Sequence, residues 1–180
     1  MTAKSLAAMV IIGLALSAMA VFAEDAAPAG DPTFVGAGKC KMCHKGEKNG
    51  NIYETWLNSK HAKSLETLVA KGEQNNAECL ACHVTGYGTP SGCGADTTMH
   101  AAEALGSVSC EACHGAGSNY KSKKTMESKE ASIAAGLVIP TEATCKKCHN
   151  DKSPTFKGFN FEEAWAKIKH EVPDSTVKTQ

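Results

Sequence analysis

Four short segments of this chain repeat one arrangement of reactive side chains. They are CKMCH (40–44), CLACH (79–83), CEACH (110–114) and CKKCH (145–149), each with two cysteines three positions apart and a histidine directly after the second. Two thiols at this spacing can add to the two vinyl groups of one porphyrin, and the adjacent histidine can then bind the iron. We therefore predict covalent attachment of a c-type haem at each segment.

The predicted attachment residues use eight of the nine cysteines. The thioether cysteines are Cys40, Cys43, Cys79, Cys82, Cys110, Cys113, Cys145 and Cys148, and the proximal iron ligands are His44, His83, His114 and His149. Zinc ribbons and redox-active disulfides also use CxxC pairs, but neither requires a histidine after every second cysteine. The repetition therefore favours four covalently bound haems c over these alternatives.

Histidine is the scarce residue, because the chain has 7 and four of them are proximal ligands. His61, His100 and His170 remain as candidate distal ligands, and three cannot complete four irons. The incomplete haem is five-coordinate, takes a methionine, or takes a histidine from another molecule. A five-coordinate iron would also bind a small ligand such as nitric oxide.

Cys93, in the segment SGCGAD, is the cysteine outside the four motifs. With the other eight assigned to haems, an internal disulfide is not expected. We expect Cys93 to fill apolar space, and an exposed thiol that pairs between molecules is the alternative.

The amino-terminal segment has the pattern of a cleavable signal peptide over residues 1–23. Lys4 precedes an apolar stretch that ends in the small-residue site VFA. An uncleaved membrane anchor is the alternative. Residues 24–38 are rich in Ala, Pro and Gly and predict a flexible lead-in, which leaves 39–180 as the tetrahaem domain, exported to the periplasm.

The elements that must position these residues are predicted to be helices. Helical periodicity favours helices over 51–72, 97–106 and 161–172, which each carry one of the three candidate distal histidines. Strand signals are sparse, and hydrophobic residues are only 42% of the 180 residues, so the porphyrins must form much of the core. We predict a mostly α, loop-rich multihaem cytochrome c fold with the haems as its core.

Charge restricts the kind of partner. The formal net charge is +0, and all 19 basic residues are lysine, so the chain is a poor candidate for binding nucleic acid. Lysines crowd the first motif (Lys39, Lys41, Lys45 and Lys48) and the last (Lys146 and Lys147). They predict docking ends for acidic redox proteins, or they offset the negative charge of the haem propionates.

Several segments go beyond the haem motif in their similarity to one family. WLNSKHAKSLETL, CLACHVTGYG, VSCEACHGAG and the closing CKKCH, in this order, resemble the cytochrome c-554 family of tetrahaem electron carriers from ammonia-oxidising bacteria. The similarity covers roughly residues 38–172. It implies three bis-histidine haems, one five-coordinate haem, and electron transfer from hydroxylamine oxidoreductase.

The resemblance also implies a set of ligands. The haem of His83 would be the open one, His61 would complete the third haem and His170 the first. The family's remaining distal histidine follows the third motif, whereas here GAGSNYKSKKTMESKE contains none and His100 lies before that motif. His100 could therefore complete the fourth haem or close the second, and in the latter case the haem of His149 would be open.

Three functions are compatible with these observations. The first is a periplasmic electron carrier between other redox proteins, so that an enzyme is not expected. The second is a reductase or sensor for nitric oxide or hydroxylamine at the open haem, with Pro154 and Phe156 as gates of a pocket. The third is a subunit of a polymeric haem wire, in which one molecule's histidine completes a haem in the next.

Overall fold

The computed structural model describes residues 30–94 and 103–173 of the 180-residue chain. Within these ranges the elements are α-helices, two 3₁₀ turns (Glu47–Asn49 and His61–Lys63) and loops, without a strand. The helices are α1 (Ala37–His44), α2 (Ile52–Leu57), α3 (Ser64–Val69), α4 (Ala77–His83), α5 (Cys110–His114), α6 (Lys123–Met126), α7 (Lys129–Ala134), α8 (Glu142–Lys146) and α9 (Phe161–Ile168). The prediction of a mostly α, loop-rich fold is confirmed.

The helix predicted over 51–72 is interrupted in the middle. It consists of α2, the 3₁₀ turn at His61–Lys63, and α3. The Ser59 hydroxyl donates to the Trp56 carbonyl at 2.6 Å, and such side-chain bonds compete with the helical ladder. Because of this interruption, the His61 side chain points in a different direction from the one that an uninterrupted helix would give it.

The helix predicted over 161–172 ends early, at Ile168, and Lys169 after it has an extended ψ of 142°. His170 therefore lies beyond the helix. In a continuous helix over 161–172 it would point roughly opposite to Phe161 and Trp165, but this helical geometry does not apply to it. Of the helix predicted over 97–106, residues 97–102 lie outside the described residues, and the chain from Glu103 to Leu105 forms a turn.

The described residues bury only two small apolar clusters. One comprises Leu65, Leu68, Leu80, Val84, Cys93 and Leu105, and the other Ala37, Tyr53, Trp56 and Ala62. Cys93 is 0% exposed within the first cluster, so the expectation that it fills apolar space is confirmed. The four haem-attachment segments lie around these clusters and keep their thiols partly or wholly accessible.

From Thr33 onward the segment 24–38, predicted as a flexible lead-in, is held by hydrogen bonds to distant residues. The amide of Thr33 donates to the Ser118 hydroxyl at 2.9 Å, and the amide of Phe34 donates to the Ser91 hydroxyl at 3.1 Å. Gly36 and Ala37 are buried, and α1 already begins at Ala37. Pro and Gly content indicated flexibility, but it cannot reveal partners so distant in sequence.

None of the helices in 30–94 and 103–173 has the length and apolar content needed to cross a membrane. The predicted signal peptide lies outside these residues and stays a prediction.

Candidate haem-binding sites

Each CxxCH motif places its histidine at or just after the end of a helix. Helices α1, α4 and α5 end at His44, His83 and His114, so in these motifs both cysteines lie on the last helical turns. In the fourth motif α8 ends earlier, but the amide of His149 still donates to the Cys145 carbonyl at 3.0 Å. Residues at i, i+3 and i+4 share one helix face, so the two thiols and the imidazole of each motif can meet one porphyrin.

Three of the imidazoles are held by backbone carbonyls. Nδ1 of His83 lies 2.8 Å from the Ser64 carbonyl oxygen, and Nδ1 of His114 lies 3.0 Å from that of Val138. Nδ1 of His170 lies 3.1 Å from the carbonyl oxygen of Ile168. A carbonyl only accepts, so Nδ1 carries the proton and Nε2 keeps the lone pair that binds a metal.

Two pairs of imidazoles face each other from separate parts of the chain. The ring centroids of His61 and His149 are 6.0 Å apart with an interplanar angle of 70°. Those of His114 and His170 are also 6.0 Å apart, at 56°. An imidazole nitrogen binds a metal at about 2.0–2.1 Å, so two imidazoles on opposite sides of one iron have centroids roughly 6 Å apart. These residues therefore fit bis-histidine haem c.

This pairing differs from the one that the family resemblance implied. His61 faces the proximal histidine of the fourth motif rather than that of the third. The ring of His170 pairs with that of His114 in the third motif rather than with His44 of the first. His170 is nevertheless near His44, because burial lowers the pKa of His44 and the charge of His170 lowers it further. The ligand roles of His61 and His170 stay predictions, and His100 lies outside the described residues.

The two methionines within the described residues differ in their surroundings. The Met42 side chain is 81% exposed, and the Met126 sulfur accepts a hydrogen bond from the Ser132 hydroxyl at 3.5 Å. Within these residues no group of three or more His, Cys, Asp or Glu side chains converges on a single metal ion.

The cysteines bring the four motifs together in an order that differs from their order in the chain. A hydrogen bond joins Cys40 of the first motif to Cys110 of the third, and it raises the pKa of Cys110 and lowers that of Cys40. Burial and the neighbouring Cys82 of the second motif raise the pKa of Cys148 in the fourth motif to about 12.

The third and fourth motifs are also close to each other. Burial and then the neighbouring Cys145 raise the pKa of Cys113. These sulfurs are the atoms that would bond the haem vinyl groups, so each contact between motifs marks two porphyrin positions that are close in space. The first motif thus lies beside the third, and the second beside the fourth.

The pocket predicted around Pro154 and Phe156 borders the fourth motif. A cavity of about 420 Å³ is lined by Phe156 and Phe159 together with Lys146, His149, Asn150 and Asp151, and Pro154 does not line it. The Phe159 ring stacks on His149 with centroids 4.8 Å apart. Phe159 therefore orients a proximal histidine, a role that its sequence did not indicate.

Ser64 connects three parts of the site and was not identified from the sequence. Its hydroxyl lies 2.7 Å from the His83 carbonyl oxygen and 2.9 Å from that of His61, and it accepts from the Val108 amide at 2.9 Å. Its own carbonyl holds Nδ1 of His83. Ser64 thus holds together the proximal histidine His83, the distal candidate His61 and Val108, which lies just before the third motif.

The lysines predicted to form docking ends differ in their surroundings. Lys41 bonds to the Glu103 carboxylate at 2.7 Å and lies over the Tyr53 ring, and Lys146 pairs with Glu142 at 2.8 Å. The side chains of Lys39, Lys45 and Lys48 are exposed near the first motif, as is that of Lys147 at the fourth.

Comparison with known proteins supports the family resemblance. The model of the family described as cytochrome c554 and c-prime matches residues 39–115. Cytochrome c-554 of Nitrosomonas europaea is 28% identical over 170 residues, which cover 86% of this chain and 65% of that protein. The chain thus spans slightly less than two thirds of the length of this curated relative.

A solved structure gives the same result for the fold. The reduced state of cytochrome c554 from Nitrosomonas europaea matches this chain with a TM-score of 0.54 and 25% sequence identity, covering 82% of this chain and 83% of that one. The resemblance to the cytochrome c-554 family is therefore confirmed, and it implies covalently bound haem c.

Proposed function

We propose that this protein is a periplasmic electron carrier with four covalently bound haems c. The observation that carries the proposal is that separate attachment motifs lie beside one another. Glu111 of the third motif binds the amides of Val35 and Gly36 before the first, and Ser64 bonds to the carbonyl of His83 in the second motif and to that of His61, whose ring faces His149 of the fourth. When bound, the haems supply reversible one-electron storage on iron. The polypeptide holds the attachment positions of different haems beside one another, which is the arrangement that an electron carrier needs.

The ligand arrangement supports a carrier more than an enzyme. His61 with His149 and His114 with His170 are each spaced for one six-coordinate iron, and a saturated iron exchanges electrons without binding substrate. In the proposed protein the donor and acceptor are other redox proteins, and their identity is outside what the chain specifies.

The first experiment is to produce the chain in a host that matures c-type cytochromes. The intact mass should correspond to the chain without residues 1–23 and with four haems. An electron paramagnetic resonance spectrum recorded before and after addition of nitric oxide then counts high-spin haem. Three low-spin haems and about one high-spin, nitric-oxide-reactive haem are expected. A mass with fewer than four haems would contradict the proposal.

A second function, binding or reduction of a small ligand, is favoured by one observation on the proximal histidines. Within 30–94 and 103–173 no second imidazole ring faces His83 or His44 as His61 faces His149. His100 can complete one of these two haems, which leaves the first or the second haem as the five-coordinate one. Turnover of nitric oxide or hydroxylamine with a chemical reductant would support the function, and absence of turnover would remove it.

The lysines near the first motif support docking of an acidic partner there. Met42, 81% exposed, is close in sequence to the exposed Lys39, Lys45 and Lys48. An exposed apolar side chain with cations nearby suits a short-lived complex with an acidic redox protein. Replacement of these three lysines by glutamine should slow oxidation of the reduced protein by an anionic metal complex at low salt but not by a cationic one. Equal effects on both reagents would contradict this docking proposal.

A further inference from the structure

Glu111 is a buried carboxylate within the third attachment motif. Its side chain is 2% exposed, and it accepts hydrogen bonds from the backbone amides of Val35, Gly36 and Gly117. The distances are 2.9 and 3.1 Å from Val35, 2.7 Å from Gly36 and 2.7 Å from Gly117. No lysine or histidine pairs with it in the described part of the chain. The amides donate to both oxygens of the carboxylate, but none of them carries a formal charge that would offset its negative charge.

The partners of Glu111 belong to two different haem sites. Val35 and Gly36 directly precede α1, which carries the first motif, and they are 76 and 75 positions from Glu111 in sequence. Gly117 follows the third motif, whose first cysteine, Cys110, is hydrogen-bonded to Cys40 of the first. One carboxylate thus ties the segment before the first attachment helix to the third attachment helix.

The charge of Glu111 reaches the attachment atoms of both haems. The hydrogen bond with Cys110 lowers the pKa of Cys40, and the Glu111 charge opposes this. The same bond and burial raise the pKa of Cys110, and Glu111 adds to the increase. A charge in a buried, water-poor site acts on neighbouring groups more strongly than one in solvent.

We propose that Glu111 tunes the first and third haems: its fixed negative charge lowers the reduction potentials of the two haems that Cys40 and Cys110 attach. Reduction adds one electron to one ferric iron and gives ferrous iron, and a nearby negative charge disfavours the added electron. The hydrogen bonds from the amides of Val35, Gly36 and Gly117 hold the carboxylate in place between the segment before the first attachment helix and the third attachment helix. This inference goes beyond electron carriage and requires only that both haems are attached.

The test compares reduction potentials among variants that carry four haems by mass. Glu111→Gln removes the charge and nearly keeps the shape, and Glu111→Asp keeps the charge. Glu78→Gln, at an exposed position before the second motif, is the matched control. Potentials are measured at an electrode with optical detection.

In Glu111→Gln the equilibrium constant for reduction should increase about tenfold at two of the four haems. This raises the midpoint potential of each by about 59 mV, the value for a one-electron couple. The other two midpoints should stay, as should all four in Glu78→Gln and Glu111→Asp. Unchanged midpoints in Glu111→Gln, an equal rise of all four, or the same rise in Glu111→Asp would each overturn the proposal.

A further variant separates the charge from the hydrogen bonds. Val35 is half-buried, and its Cγ2 lies near Gly117, beside the Glu111 carboxylate. Val35→Lys keeps the carboxylate and the amide of residue 35 and places a cation next to it. The same two midpoints should rise. If Glu111→Gln fails to mature with four haems, this variant decides alone, and unchanged midpoints in it would refute the tuning role.

Discussion

The imidazoles of His61 and His149 face each other at a centroid distance of 6.0 Å, although one lies in the turn between α2 and α3 and the other ends the last CxxCH motif. His149 also stacks against Phe159 on another side, so its ring is fixed between two neighbours. This relationship assigns a distal candidate to the fourth haem by geometry, whereas the family resemblance implied the third.

Replacing His61 with alanine should open the fourth haem. The high-spin signal is expected to grow from about one haem to about two in four, because a distal nitrogen is lost and its iron becomes five-coordinate. Quantitative electron paramagnetic resonance on the haem-loaded protein measures this. Lys63→Ala, at an exposed position in the same turn, is the matched control and should leave the spectrum unchanged. An unaltered high-spin fraction in His61→Ala would show that another residue binds that iron.

The corresponding experiment on His100, which lies outside the described residues, tests the prediction that it is a distal haem ligand. His100→Ala should add one further high-spin haem, since three candidate histidines serve four irons. After His100 the described chain resumes at Glu103, whose carbonyl accepts from the Gly38 amide in α1, and the carbonyl of Leu105 accepts from the amide of Thr85 next to the second motif. If the variant has the wild-type spectrum, His100 is not an axial ligand.

Ser64→Ala should destabilise the protein by about 1–3 kcal/mol, because the carbonyls of His61 and His83 lose the hydroxyl and the Val108 amide keeps only its longer bond, 3.2 Å, to the His61 carbonyl. Denaturant unfolding of the haem-loaded protein measures the free energy. Ser59→Ala, which removes one bond to the Trp56 carbonyl in the same segment, should cost less. Equal losses would mean that the connections made by Ser64 do not contribute beyond an ordinary hydroxyl.

Gly92→Ala should destabilise the chain by about 1–3 kcal/mol, as overpacking does. A Cβ at this position would overlap the Gly86 carbonyl group, and Gly86 has a φ of +70° and packs against Phe34. Neither backbone can move away cheaply. Thermal unfolding is the measurement, and Gly30→Ala, with nothing within 4 Å, is the control and should be neutral. A neutral Gly92→Ala would show that this loop repacks.

The Cys93 thiol should resist alkylation in the native protein and react once per chain after unfolding. Burial raises the pKa of Cys93 above its ordinary value of 9.0, because the apolar cluster disfavours the thiolate. Its contribution to stability is therefore complete below pH 9.0 and is lost above it, where the unfolded thiol ionises first. As the pH rises through 9.0, the free energy of unfolding should therefore fall less in Cys93→Val than in the wild-type protein. Stoichiometric labelling without denaturant would contradict the buried position.

Much of the candidate site could be predicted from sequence because its chemistry is local. Cys40, Cys43 and His44 lie on one short helix, so their spacing alone specifies the attachment geometry. The apolar side of 51–72 also identified His61 as a candidate ligand. What the pattern could not supply was the partner of His61, since that depends on how α2, α3 and the fourth motif pack in three dimensions.

The contributions of Glu111 and Phe159 were missed for a related physical reason. The partners of Glu111 include backbone amides 75 and 76 positions away, and every residue type except proline has such an amide. No composition or periodicity marks the donor. The interruption after Leu57 was missed because Asn58, Ser59 and Lys60 are all tolerated in helices, and the sequence does not reveal that the Ser59 hydroxyl bonds to the Trp56 carbonyl.

The contact between the first and third attachment helices has a consequence for biosynthesis. Because the ribosome makes the amino-terminal helix first, Val35 and Gly36 lack their carboxylate until the chain has grown by 75 residues more. A haem added to the first segment before then would be attached to an open peptide. A nascent chain stalled between these segments would be a preferred substrate for proteolysis.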